Sequence, residues 1–244
     1  MSTLSIELKE IAHNCGFVSV GISTPKMLRN LPYGWVREIR KLDTPEEILQ
    51  NVKSVILLAW HSWDRTFNLN VDAPVGSEGN SRFESYYFSE EIMKNKAWVI
   101  VDFLHRRGFE AKWSSDIPLK TAAVRCGLGA QGKNTLLISP EFGPRVKLIA
   151  VLTDALLDID APYEDDVCGD CERCIKACPT KAIEPYRLNI TNCIVYSSES
   201  PAANDVPESV RQKDQKLQPR LSPNSFIECT RCMDVCPIGK TDSV

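Results

Sequence analysis

Apolar and polar positions alternate with two different periods over the first 157 residues. Leu4, Leu8, Ile11 and Ala12 share one face at helical spacing and Gly16 ends the run, which predicts a short helix over 4–12. Phe17 to Ile22 predicts a strand, with Gly21 allowing a close backbone approach. Thr44-Pro45-Glu46-Glu47 has the form of a helix start, with Thr as N-cap, Pro at the first position and Glu closing a capping box. Val55 to Trp60 predicts a buried strand, residues 64–82 a loop rich in Gly, Asn and Ser, and residues 84–106 the longest helix, stopped by Gly108. A strand over 110–113 and a helix over 119–126 follow. Leu136–Ile138 and Val146–Leu152 flank Ser-Pro-Glu-Phe-Gly-Pro and predict a hairpin.

This alternation of helices and strands is an α/β pattern. After residue 157 the composition shifts to cysteine, aspartate and proline, so the expected class is α+β. It comprises an α/β domain over 1–157 and a ferredoxin-like domain over 158–244. The polar, Ser- and Pro-rich stretch 197–225 predicts a mobile insertion, with a lid and a solvated loop as its two readings.

Charge and composition narrow the function by exclusion. Apolar residues make up 43% of the 244, enough for an ordinary core. A net charge of −3 carries no nucleic-acid footprint, although it leaves room for a local basic groove. No run approaches 18 apolar residues, and the N-terminus has neither an apolar signal core nor a twin arginine. The expectation is a cytoplasmic protein with no membrane partner, in which clustered cysteines serve as metal ligands or catalysts rather than disulfides.

Eight of the ten cysteines lie in the last third. Cys168, Cys171, Cys174 and Cys178 form C-x2-C-x2-C-x3-C before Pro179. Cys229, Cys232 and Cys236 form C-x2-C-x3-C before Pro237, and Cys193 stands between the runs. A 4Fe–4S cubane needs four thiolates in tetrahedral array, and in two-cluster ferredoxins the fourth cysteine of one run serves the other cluster. On that rule Cys168, Cys171, Cys174 and Cys236 hold one cluster, and Cys178, Cys193, Cys229 and Cys232 hold the second. A zinc ribbon also uses C-x2-C pairs but gives no reason for the C-x2-C-x2-C-x3-C-P run. Cys15 and Cys126 fit no ligand pattern and are expected in the core.

The turn Gly127-Leu128-Gly129-Ala130-Gln131-Gly132 reads G-x-G-x-x-G, but a helix precedes it and a strand follows, the reverse of a dinucleotide fingerprint. It is either a tight turn using positive φ or a backbone loop pressed against a flat cofactor, with Lys133 and Asn134 adding polar contacts. Asp116, before Ile117-Pro118, is either a helix N-cap or a proton donor facing a cofactor.

Several stretches together resemble the epoxyqueuosine reductase family. They are Ser115-Asp116-Ile117-Pro118, Gly127-Leu128-Gly129, Gly132-Lys133-Asn134-Thr135-Leu136-Leu137-Ile138, Glu141-Phe142-Gly143, the two cysteine runs, and Cys193-Ile194-Val195-Tyr196. The match covers most of residues 113–240. The resemblance implies a reductase in which the ferredoxin domain feeds electrons to a cobalamin held by the N-terminal domain, an arrangement similar to the reductive dehalogenases. It implies Asp116 as proton donor and Gly127, Leu128, Gly129, Ala130, Gln131, Gly132, Lys133 and Asn134 as lining of the cobalamin pocket. Tyr86 and Tyr87 are further acid candidates. No D-x-H-x-x-G motif is present, so cobalamin without a protein histidine ligand is expected, with His13, His61 and His105 at element edges.

Longer members continue past the clusters into a helical repeat region that helps hold tRNA, whereas this sequence ends eight residues after Cys236. Of the family's Arg-Tyr-Ala and Asp-Tyr-His stretch only Arg82 and an aromatic remain. The expected partners are therefore a small-molecule or nucleoside-type substrate and a low-potential electron donor such as ferredoxin or flavodoxin, and the expectation does not extend to tRNA. Two other readings remain: an electron carrier without cobalamin that reduces a partner protein, and a shortened tRNA epoxyqueuosine reductase.

Overall fold

The structure is a computed structural model that describes residues 2–28, 42–62, 68–75, 80–199, 203–218, 220, 222 and 225–239. Helix α1 (Thr3–Asn14) is capped by the Ser2 hydroxyl, which accepts from the Ser5 N–H. The short helix α2 (Pro45–Ile48) carries the full capping box expected of Thr44 and Glu47.

A four-stranded sheet, ordered β1 (Ser19–Ser23), β2 (Ser54–His61), β8 (Val146–Thr153) and β5 (Ala111–Ser114), is antiparallel at every pairing. Alternating helices and strands do not by themselves set strand direction. Here the connections return each chain segment antiparallel to its neighbour.

Both faces of this sheet are covered, which is why β2 reads as a continuous apolar run rather than an alternating one. Ile56, Leu58, Ile149 and Val151 pack under α1 and α3 (Phe88–His105) through Leu8, Ala97, Ile100 and Leu104. Val55, Leu57, Ala150 and Leu152 face the other way, onto α4 (Leu119–Arg125) through Ala122, Ala123 and Leu128. Each large side chain so buried contributes roughly 1.5–3 kcal/mol. Cys126 is buried here, with its thiol directed to the Ala122 carbonyl (3.1 Å), while Cys15 is half-buried against the α1 side.

Three expectations are corrected. The predicted loop 64–82 contains β3 (Asn68–Val75) and, with residues beyond it, β4 (Asn80–Tyr86), paired antiparallel. α3 therefore starts at Phe88 rather than 84. Polar composition hid these strands because their backbones pair with each other and with β11 (Ser225–Phe226), near the far end of the chain. The predicted hairpin does not form: β7 (Leu137–Ile138) pairs with β6 (Ala130–Gln131), and β8 joins the main sheet. The Ser-Pro-Glu-Phe-Gly segment closes on itself by a Ser139–Gly143 bridge.

The third correction concerns the polar stretch 197–225, which holds helix α7 (Glu208–Leu217) packed on α6 (Ile194–Glu199) through Ile194, Val206 and Val210. Asp214, 3% exposed, accepts from Ser198 Oγ (2.7 Å), Ser197 Oγ (3.2 Å) and Arg220 Nη2 (3.3 Å). The serines that look like loop residues in sequence are donors to a buried carboxylate. Residues 200–202 lie outside the described part, as do the side chains of Arg82 and Tyr86. Among the described residues no helix is long and apolar enough to cross a membrane.

Candidate iron–sulfur site

The cysteine region is built from short pieces: α5 (Arg173–Ala177), the hairpin β9 (Ile183–Glu184) and β10 (Arg187–Leu188), then α6 and α8 (Arg231–Asp234). Helices α5 and α8 lie against each other, which brings the two cysteine runs together. The runs meet crosswise. Cys168, Cys171, Cys174 and Cys236 line one small cavity of about 30 Å³. Cys178, Cys193, Cys229 and Cys232 line a second, of about 360 Å³. In each case the thiols border a space rather than closing on a point. Among the described residues no three His, Cys, Asp or Glu side chains lie close enough to hold a single ion.

The donors fit 4Fe–4S clusters on two grounds. Backbone N–H groups point at sulfur, from Lys133 to Cys168 Sγ (3.5 Å) and from Ala182 to Cys178 Sγ (3.2 Å), as thiolate ligands of such clusters require. The thiols also crowd one another. Burial, and then the charges of Cys229, Cys193, Cys174 and Cys178, push Cys232 up to about 12. Burial and Cys229 push Cys193 up to about 11. Four thiolates in such a wall need cationic iron to remain ionised. Cys174 belongs to the first set and still acts on Cys232 of the second, so the two sites adjoin.

The second cavity opens toward the main sheet. Its wall includes Ser62 beyond β2, Lys120 of α4, Thr135, Lys147 of β8, and Tyr196 and Glu199 of α6. Lys120 is exposed and lines this cavity. Burial, then Lys147, lowers its pKa from the usual lysine value. Tyr87 donates to Glu199, and burial with the neighbouring carboxylates raises the phenol. Burial also raises Glu199, to about 7, against the pull of that hydrogen bond and of Lys147. Lys147 pairs with Glu228 and lies 5.8 Å from the Tyr87 ring centroid. Tyr87 was one of the acid candidates, but Lys120, Lys147 and Glu199 carry no sequence signal. They come from α4, β8 and α6, and only folding gathers them.

The glycine-rich turn packs closely against its neighbours. A Cβ at Gly21 would strike Leu128 and the Cys126 carbonyl, and one at Gly129 (φ +152°) would strike the Ile138 carbonyl. The turn's last residues reach the cysteines. Lys133 and Asn134 line the first cavity, and Asn134 also borders the second, whereas Gly127 to Gly132 line neither.

Asp116 is half-buried between β5 and α4. Its N–H donates to Ser114 Oγ (3.0 Å), and its carbonyl accepts from the Asp43 N–H (2.8 Å). It does not cap α4, whose N-cap is Pro118 with no side-chain cap bond. Asp116 is not part of the second cavity's described wall. Lys120, one helical turn on, is.

Residues 167–239 match the family model described as a 4Fe-4S double cluster binding domain. Across 96% of its length the chain is 29% identical to an epoxyqueuosine reductase of Prochlorococcus marinus, spanning 78% of that protein. Its fold matches a crystal structure of epoxyqueuosine reductase with a tRNA-Tyr epoxyqueuosine-modified stem loop (TM-score 0.71, 23% identity, 99% of this chain and 66% of that one). It also matches, as fold alone, a reductive dehalogenase described in terms of B12-dependent dehalogenation (TM-score 0.60, 18% identity, 97% and 32%). Crosswise cysteine sets, a double-cluster domain and a likeness that runs nearly end to end agree: over almost its whole length the chain is similar to the epoxyqueuosine reductases.

Proposed function

We propose that this protein is an iron–sulfur reductase whose two 4Fe–4S clusters, held by the crosswise cysteine sets, pass single electrons to cobalamin between the main sheet and the cysteine region. The observation that carries the reading is the inequality of the two sites. The small cavity stays among its thiols and their close neighbours, Lys133 and Asn134 included. The large one extends from its thiols to Lys120 and Lys147 on the sheet side.

The residues there suit cobalamin's amide fringe, with Lys120, Asn134, Thr135 and Tyr196 as polar partners among apolar walls. When bound, cobalamin would supply a strongly reducing, nucleophilic metal centre.

The substrate class is a nucleoside-type or small epoxide. Removing its oxygen as water takes two electrons, delivered one at a time from a low-potential donor, and two protons. Asp116 is the proposed proton donor, placed on the loop that leads into α4. Replacing Asp116 with Asn is expected to cut turnover about 10²–10⁴-fold, the usual worth of a positioned acid. Cluster content and cobalamin binding should stay intact. Unchanged turnover removes Asp116 from the mechanism.

Anaerobic purification with iron and sulfide analysis, followed by cobalamin titration, tests the whole reading. Two cubanes require about eight iron per chain, and binding should shift the corrin spectrum. Eight iron without cobalamin binding leaves an electron carrier that reduces a partner protein. The tRNA reading is tested separately, by retention of an epoxyqueuosine-modified stem loop against the free nucleoside.

A further inference from the structure

Lys133 is held on three sides by contacts that have nothing to do with a flat cofactor. Its backbone N–H donates to Cys168 Sγ (3.5 Å), its ammonium donates to the Gly169 carbonyl (2.5 Å), and its carbonyl accepts from the Tyr186 N–H (3.2 Å). The residue thus bridges the end of the glycine-rich turn, the first cysteine loop and the β9–β10 connection, and it lines the first cavity. Around it the loop is acidic. Asp166 accepts from the Cys168 N–H (3.0 Å) and from the Tyr186 hydroxyl (3.2 Å), and Asp170 and Glu172 are exposed; the opposing cations of this segment are Arg173, which also lines the cavity, and Lys176, which pairs with Glu172 (3.3 Å).

We propose that Lys133 is a redox-positioning residue, setting the first cluster's reduction potential above the value its acidic loop would otherwise impose. This inference rests on the two-cluster reading. A cubane with four thiolate ligands is anionic, and each electron it accepts adds negative charge. An ammonium fixed beside the ligand loop therefore stabilises the reduced state more than the oxidised one, and an N–H directed at ligand sulfur acts in the same sense. Acidic side chains on the same loop act oppositely. Lys133 opposes them at the set whose ligand loop carries exposed Gly169, Asp170 and Glu172.

The test is an EPR-monitored redox titration of the anaerobically purified holoprotein. Lys133→Gln keeps a donor for Gly169 and removes the charge; Lys133→Met removes both; Lys133→Arg keeps the charge. Gln and Met are expected to lower the first cluster's midpoint by a tenfold or larger change in its reduction equilibrium, 59 mV for one electron. Arg should restore it, and the second cluster should stay within a small fraction of that shift. Lys112→Met, on β5, serves as the distant control. An unmoved first-cluster midpoint in Lys133→Gln or Lys133→Met, with both clusters present, overturns the assignment, as does an equal shift in Lys112→Met. Iron analysis of the wild type reads the underlying premise separately: fewer than two clusters there defeats the two-cluster reading itself.

Discussion

The two cysteine sites share ligand chemistry and differ in everything around it. The first is small, close to an acidic exposed loop, and backed by tight backbone contacts. Gly143 (φ +55°) and Gly239 (φ +70°) approach each other's neighbours so closely that a Cβ on either would strike main-chain atoms. The second is roomy and bordered by Lys120, Lys147 and Glu199, drawn from both halves of the chain, with Tyr87 donating to Glu199 from behind. The difference teaches that duplicated motifs need not mean duplicated roles. On the proposed function, one site keeps a cluster near the donor, and the other hands electrons onward in a space where a larger group also fits.

The strongest way to break this comparison is to empty one site at a time. Cys171→Ser and Cys232→Ser should each reduce iron from about eight to about four per chain. Only Cys232→Ser should abolish cobalamin binding, because only the second site borders the large cavity. Equal loss from both variants would mean that the two sites form one unit.

The next effect is on the first site's backing. Gly143→Ala places a Cβ against the Ile238 carbonyl at a positive φ and should destabilise the fold by about 1–3 kcal/mol. Iron should be lost from the first site before the second, since Cys236 lies three residues from Gly239. Thermal unfolding with iron analysis of partly unfolded samples reads both.

A pH experiment sharpens the second site. Burial raises Glu199 to about 7, so between about pH 4.5 and 7 the folded state keeps a proton that the unfolded chain has released. This contribution to stability is full below the unfolded value and is lost as pH rises through the folded one. Glu199→Gln should therefore flatten the fall in unfolding midpoint between pH 5 and 8, and an unchanged slope would show that Glu199 does not titrate there.

The smallest effect concerns the tie between the sheet and the cysteine region. Arg145 and Asp234 pair at 2.9 Å, each about one-third exposed. Arg145→Ala should cost no more than about 1 kcal/mol, measured by denaturant midpoint.

Much of the fold was legible locally. Leu4, Leu8 and Ile11 predict α1, the Thr44–Glu47 box predicts α2, and the apolar run from Val55 predicts β2, because each signal lies within a few residues. What failed was non-local. β3 and β4 are polar, and they are held by pairing with one another and, for β3, with β11, whose Ser225 stands opposite Leu69 from the far end of the sequence. The serines of 197–198 read as loop because their partner, Asp214, lies 16–17 residues away across a helix pair. Asp116 could be read as a cap only while the true N-cap, Pro118, was unseen.

The sequence by itself determined the cluster chemistry, since thiol number and spacing within a few residues decide which loops curl round a metal cluster. It also carried the likeness to the epoxyqueuosine reductases, through the stretch from Asp116 to Asn134 and the cysteine runs. Tertiary structure alone decided how the two sites differ. Lys120, Lys147 and Glu199 become one wall only when α4, β8 and α6 pack. Lys133 meets Cys168 only because the glycine-rich turn is pinned against the first cysteine loop. Such contacts join residues tens of positions apart, and their strength depends on burial and direction, which no local pattern encodes.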